Sequence, residues 1–177
     1  MKKIFCLILY CFSCYIVIQA QSDCGQDSIK YLIAYDYIVN DFVTKGEIVM
    51  VSDSIIDLDR YWFSEELKNF PEEQRKMNQY RVNKGFVWSD PFYSSCITSM
   101  FPIKEILPNR ILFFSQIEDN ILLADLLPLN RYNPYIKQSD RFNYAKMTFQ
   151  NMGRIYLFIF CGDGNLKATF SREIIYD

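Results

Sequence analysis

The sequence predicts an α+β protein, with N-terminal helices packed on a C-terminal antiparallel sheet. Two observations carry this. Helix start and stop signals gather in the first half of the chain, and paired apolar runs separated by turn residues gather in the second. A third sets the scale: half of the 177 residues are hydrophobic and 17% are aromatic, enough to fill one core.

The chain opens with Lys2 and Lys3, then runs from Ile4 to Ile18 without a charge, reaches Ala20 and turns polar at Gln21-Ser22-Asp23. This is the three-part pattern of a secretory signal peptide, and the run is short of the roughly twenty residues that span a bilayer. The expectation is residues 1–20 as a signal peptide, 21–177 as a single α+β domain, and a periplasmic or secreted product. A lipid anchor on Cys14 is the alternative, weakened because Cys11 and Phe12 stand where Leu and a small residue are usual. Cleavage after Ala20 removes two of 19 basic residues and no acid, leaving 17 against 21 and a net charge of −4.

Asp27-Ser28 suits the cap of a helix over residues 29–41. It has two apolar faces, one with Ile29, Leu32 and Ile33, the other with Tyr31, Tyr35, Ile38 and Phe42, which predicts burial from both sides. Lys45-Gly46 reads as a turn, and Glu47 to Ser52 as a short strand. Ser54-Ile55-Ile56-Asp57 has capping-box form and predicts a helix reaching Lys68. Pro71-Glu72-Glu73 suits a helix start and Asn83-Lys84-Gly85 its end. Ile111 to Ser115 and Ile121 to Leu127, separated by Glu118-Asp119-Asn120, read as a hairpin. Residues 141–152 fit helix or strand equally. Ile155 to Phe160 is apolar on both parities and predicts a central strand covered on both faces. Gly162-Asp163-Gly164-Asn165 and then Leu166 to Phe170 mark the clearest hairpin, which Ile174 to Tyr176 extend. By element order alone, a curved sheet over N-terminal helices resembles the NTF2-like or cystatin-like architectures. That likeness chooses no function.

Composition excludes several chemistries. There is no histidine, so Ser-His-Asp and Cys-His catalysis, His-ligated metals and imidazole switches are out. The near-neutral charge argues against a nucleic-acid partner. Beyond the signal, Cys24, Cys96 and Cys161 match no zinc or redox spacing, and their odd number allows one disulfide at most. No cofactor fingerprint is present. Gly162-Asp163-Gly164-Asn165 feeds a strand rather than a helix, so it reads as a hairpin turn and not a phosphate loop.

Three features remain. Asp53, Asp57 and Asp59 are the densest acids and weak metal candidates, but they lack the alternation and glycine of a calcium loop. Asp36 falls on the Ile29, Leu32, Ile33 face. If buried there, with Tyr35, Tyr37 or Tyr61 beside it, it would be the general acid or base of a carboxylate-based hydrolase or isomerase. Trp62, Trp88, Phe92 and Tyr93 belong to an aromatic-rich middle third and are candidate recognition anchors. The leading expectation is a non-enzymatic binding module, whose partner is a protein, a glycan or a small apolar molecule held between sheet and helix.

Overall fold

In the computed structural model, the described residues are 25, 27–42, 47–76, 92–101, 108–129 and 143–176. They are α+β. Helix α1 (Asp27–Phe42) precedes strand β1 (Val49–Ile56). Then come β2 (Phe92–Tyr93), α2 (Ser95–Met100), β3 (Arg110–Ser115), β4 (Ile121–Pro128), α3 (Tyr144–Thr148), β5 (Met152–Phe160) and β6 (Leu166–Ile175). The six strands form one sheet in the order β2-β1-β3-β4-β5-β6.

The second half of the chain follows the sequence reading. β3 and β4 pair antiparallel, with Asp119 and Asn120 at φ 55° and 63° between them. Two successive left-handed residues are what a two-residue type I′ hairpin loop requires. β5 and β6 pair antiparallel around a turn in which Gly164 has φ 87° and the Asp163 carboxylate accepts from the Asn165 amide. β5 is interior, between β4 and β6, and Ile155 to Phe160 is buried throughout.

The sheet departs from the expectation in one respect: it is mixed. β1 lies parallel to β3, while all the other pairs are antiparallel. The helix expected from Ser54 to Lys68 does not form. Ser54 to Ile56 complete β1, where Ile55 and Ile56 pair with Phe114 and Ser115. Two short 3₁₀ turns follow, Arg60–Phe63 and Glu66–Asn69. The β-branched pair had a strand to join, and that outweighed the capping signal. Residues 71–76 are helical, as Pro71 predicted; Lys45-Gly46 and Asn83-Lys84-Gly85 lie outside the described residues.

Both faces of the sheet are covered. On the first, Tyr31, Ala34 and Ile38 of α1 and Ile97 of α2 pack on Leu112, Leu122, Leu126, Tyr156 and Phe158. On the second, Phe63 and Leu67 of the 3₁₀ turns pack on Ile121, Leu123, Ile155 and Leu157. Met147 of α3 packs there on Ile111, Phe113 and Leu127. Of the two apolar faces proposed for α1, the one with Tyr31 and Ile38 is inside; on the other, Ile29 and Leu32 are exposed and Ile33 is partly buried against the core. Cys96 is disulfide-bonded and Cys161 is a free thiol of intermediate exposure. Among the described residues, no helix is long and apolar enough to cross a membrane.

Candidate functional site

β4 alternates, so Ile121, Leu123, Asp125 and Leu127 point to the second face. A carboxylate thus lies in the middle of an interior strand, opposite Phe113 on β3 and Ile155 on β5, and it is 0% exposed. Room for it comes from Gly153 on β5. A Cβ added there would lie 2.9 Å from Asp125 Oδ1 and 2.7 Å from Leu127 Cδ2.

Two tyrosines converge on Asp125. The Tyr144 hydroxyl donates to Oδ2 at 2.8 Å, and the Tyr176 hydroxyl donates to the same oxygen. The two hydroxyls are 3.3 Å apart. Asn143 caps α3 by accepting from the Lys146 amide, which fixes where Tyr144 begins its helix. The Tyr144 ring rests edge-on against Phe113, with centroids 5.1 Å apart. Tyr176 follows the end of β6, and its amide donates to the Asn151 carbonyl. Buried Asn151 in turn donates to the carbonyls of Met147 and Pro128, tying α3 to the end of β4. Both tyrosines are therefore positioned by elements whose own ends are held.

The other oxygen, Asp125 Oδ1, is buried with no hydrogen-bond partner among the described residues. Burial pushes the Asp125 carboxyl up to about 7, against the pull of the hydrogen bonds from Tyr176 and Tyr144. Both tyrosines are pushed well above the usual phenol range, by burial and then by the neighbouring carboxylate. Near neutrality, three oxygens therefore share either two or three protons.

Beside this cluster lies a cavity of about 240 Å³ with mainly apolar walls. Tyr144 and Tyr176 form one side, Leu123, Ile155 and Ile174 the sheet side, and Leu58, Asp59 and Trp62 the side given by the chain leaving β1. Ile175 completes the lining. Trp62 is 47% exposed. The segment bearing it is held by Arg172, which ion-pairs with Glu66 and lies over the Phe63 ring at 5.2 Å. A second tie runs from Arg60 to Glu118 at 3.1 Å.

The residues singled out from sequence do not meet in one place. Trp62 lines the cavity. Tyr93 is 64% exposed on β2, at the opposite edge of the sheet from β6, and Phe92, also on β2, pairs with Ile55 of β1. Trp88 lies outside the described residues. Asp36 is exposed on α1, on the sheet face away from the cavity, so the burial on which its candidacy rested is not met. The helix turned its tyrosine-bearing face inward, because Tyr31 and Ile38 fit the sheet and Tyr31 donates to the Ser115 carbonyl.

Asp53, Asp57 and Asp59 are likewise not gathered. The Asp53 carboxylate accepts from the Ser54 hydroxyl in β1, and Asp59 caps the first 3₁₀ turn by accepting from the Tyr61 amide. Among the described residues, no three acids or cysteines are placed to hold a metal ion. The residues missed were Asp125, Tyr144 and Tyr176. The available signal was a single carboxylate inside the run Ile121 to Leu127, at the parity of Leu123 and Leu127. Comparison with known protein families, curated proteins and solved structures finds no match.

Proposed function

We propose that the protein is an exported binding module that holds a small, mostly apolar molecule in the cavity between the second sheet face, α3 and the chain around Trp62. The carrying observation is the cavity itself: about 240 Å³, walled by Leu58, Trp62, Leu123, Ile155, Ile174 and the two tyrosines. A dry apolar cavity of about 150 Å³ accommodates benzene, and drug-sized ligands need about 300 Å³ or more. The volume therefore suits an occupant somewhat larger than one aromatic ring. Trp62 supplies a flat apolar surface beside the opening. A glycan or protein partner reading an aromatic surface is less supported, because Trp62 lines the cavity with residues of β4, β5 and β6 while Tyr93 lies on β2, the opposite edge strand.

Export rests on the first twenty residues and is supported by the disulfide at Cys96, since disulfides persist in oxidising compartments. Periplasmic or secreted release after Ala20 is the reading; a lipid anchor at Cys14 is its alternative. The mass of the mature chain separates them, a start at Gln21 against a diacylated Cys14.

Binding is tested by titrating the mature protein with ethylbenzene, followed by ligand-observed NMR. The Ile175→Trp variant places bulk at an exposed position of the lining. Saturable binding that weakens at least about tenfold in the variant, with unchanged unfolding, supports the cavity. No saturable binding of ethylbenzene overturns it. One observation favours a second reading, a carboxylate-based hydrolase or isomerase: an Asp125 carboxyl held near neutrality can give or take a proton. In that reading Asp125 and its tyrosines replace exposed Asp36 as the acid–base group, and turnover of a bound substrate is the distinguishing result.

A further inference from the structure

The second face of the sheet could be covered by apolar side chains alone, yet it holds a carboxylate and two hydroxyls beside an apolar cavity. We propose that Asp125, Tyr144 and Tyr176 form a proton-loaded recognition site, which offers one tyrosine hydroxyl as a donor to an uncharged carbonyl oxygen on the cavity's occupant. This rests on the cavity being a binding site and adds the polar half of the ligand's chemistry.

The number of protons on the cluster decides what it can offer. With Asp125 ionised, the cluster holds two protons, and both tyrosines direct them at Oδ2. Nothing remains to donate elsewhere, and an occupant meets only oxygen lone pairs. With Asp125 protonated, the cluster holds three. A proton on Oδ1 would be a buried donor without an acceptor, at a cost of about 1–3 kcal/mol. The proton therefore sits on Oδ2 and is donated to one tyrosine oxygen. That tyrosine no longer needs Oδ2, and with the hydroxyls 3.3 Å apart one phenolic proton is released for an outside acceptor. An occupant with a carbonyl oxygen takes it, and one proton from solvent accompanies binding to the ionised form.

The surroundings favour a neutral occupant. Asp59 lines the cavity and no basic side chain does, among the described residues. β3 presents Phe113, and β5 presents Ile155 and Gly153. On α3, Lys146 is exposed. On β6, Arg172 is held by Glu66 of the 3₁₀ turn. The hydroxyls of Tyr144 and Tyr176 are thus the groups that set the state of Asp125, together with its burial.

Three probes on one skeleton test this with the mature chain: acetophenone, 1-phenylethanol and ethylbenzene, each titrated at about pH 5.5 and about pH 8.5. If only protonated Asp125 accepts the ketone, apparent affinity follows the protonated fraction. With the carboxyl near 7, acetophenone should bind about thirtyfold more weakly at the higher pH. The alcohol, which both donates and accepts, should bind at both, and ethylbenzene should be indifferent to pH. In Asp125→Asn the neutral amide stands in for the protonated acid, so acetophenone should bind at both pH values as it does to the wild type at the lower. A carboxyl ¹³C titration of the wild type gives a variant-free check: saturating acetophenone should raise the apparent pKa of Asp125. If ethylbenzene binds but acetophenone shows neither pH dependence nor a raised carboxyl pKa, the proton-loaded site is wrong and the cavity stands. If ethylbenzene does not bind saturably, the cavity falls and the proton-loaded site falls with it.

Discussion

Consider the Asp125→Asn variant in denaturant titrations across a pH series. In wild type the carboxyl moves from its ordinary 3.8 to about 7 on folding. Between those values the native state keeps a proton that the unfolded chain has released. The unfolded state then binds fewer protons, so stability falls as pH rises, by about 1.4 kcal/mol per pH unit. Below 3.8 both states are protonated and nothing is lost; above 7 both are ionised and the loss is complete, at about 4 kcal/mol. About 2–3 kcal/mol of it falls between pH 5 and pH 8. This direction is opposite to that of a salt-bridged carboxylate, because here burial outweighs the two hydrogen bonds. The amide has no proton to lose. The stability difference between variant and wild type should therefore grow in the variant's favour by about 2–3 kcal/mol from pH 5 to pH 8. Guanidinium unfolding followed by far-UV circular dichroism measures it, with wild type as the control for every other titrating group. Two curves that stay parallel over this range would show that Asp125 ionises in the native state as easily as in water, and the proton count would go with it.

Gly153→Ala should destabilise the fold by about 1–3 kcal/mol, because its Cβ would meet Leu127 and Asp125 Oδ1 under 3 Å; unchanged thermal unfolding would contradict the close approach. Burial raises Tyr31, Tyr144, Tyr156 and Tyr176 above the phenol range, so only the unfolded chain ionises them near pH 10, and stability is lost as pH climbs past that value. Absorbance at 295 nm should then show part of the tyrosines resisting titration until the circular dichroism collapses; full ionisation of a folded chain would refute it. Under non-reducing conditions an alkylating reagent should label Cys161 and spare Cys96, and reduction should cost about 2–5 kcal/mol. Labelling of Cys96 without reductant would contradict the disulfide.

The β half of the fold was legible because its signals are local and redundant. Ile155 to Phe160 could only be a strand with two covered faces, and it was sorted onto them by parity: Ile155, Leu157 and Ile159 to one, Tyr156, Phe158 and Phe160 to the other. Asp119-Asn120 and Gly164 mark their turns by the conformations they tolerate. Around Ser54 the local signals conflicted. Its capping-box spacing is genuine, but Ile55 and Ile56 gained partners on β3, Phe114 and Ser115, far along the chain, which no window along it can see. The same blindness explains α1. Both its apolar faces are plausible alone, and only the sheet, with Ser115 waiting for the Tyr31 hydroxyl, decides between them. Asp36 was exposed by that choice.

Asp125 shows a subtler limit. Its run, Ile-Leu-Leu-Ala-Asp-Leu-Leu, reads as a buried strand because six of seven residues are apolar, and the seventh is carried inside with them. Periodicity told where the strand went but treated its one exception as noise. The physics runs the other way. A carboxyl with one oxygen unpartnered costs the fold several kcal/mol once ionised, and Leu at that position would remove the cost. Two tyrosines from separate elements, α3 and the end of β6, nonetheless reach the same oxygen, and a glycine on β5 keeps the space open. Stability alone explains none of these arrangements. They fit a group kept at the edge of ionisation beside a cavity, where taking up a proton changes what the two hydroxyls can offer.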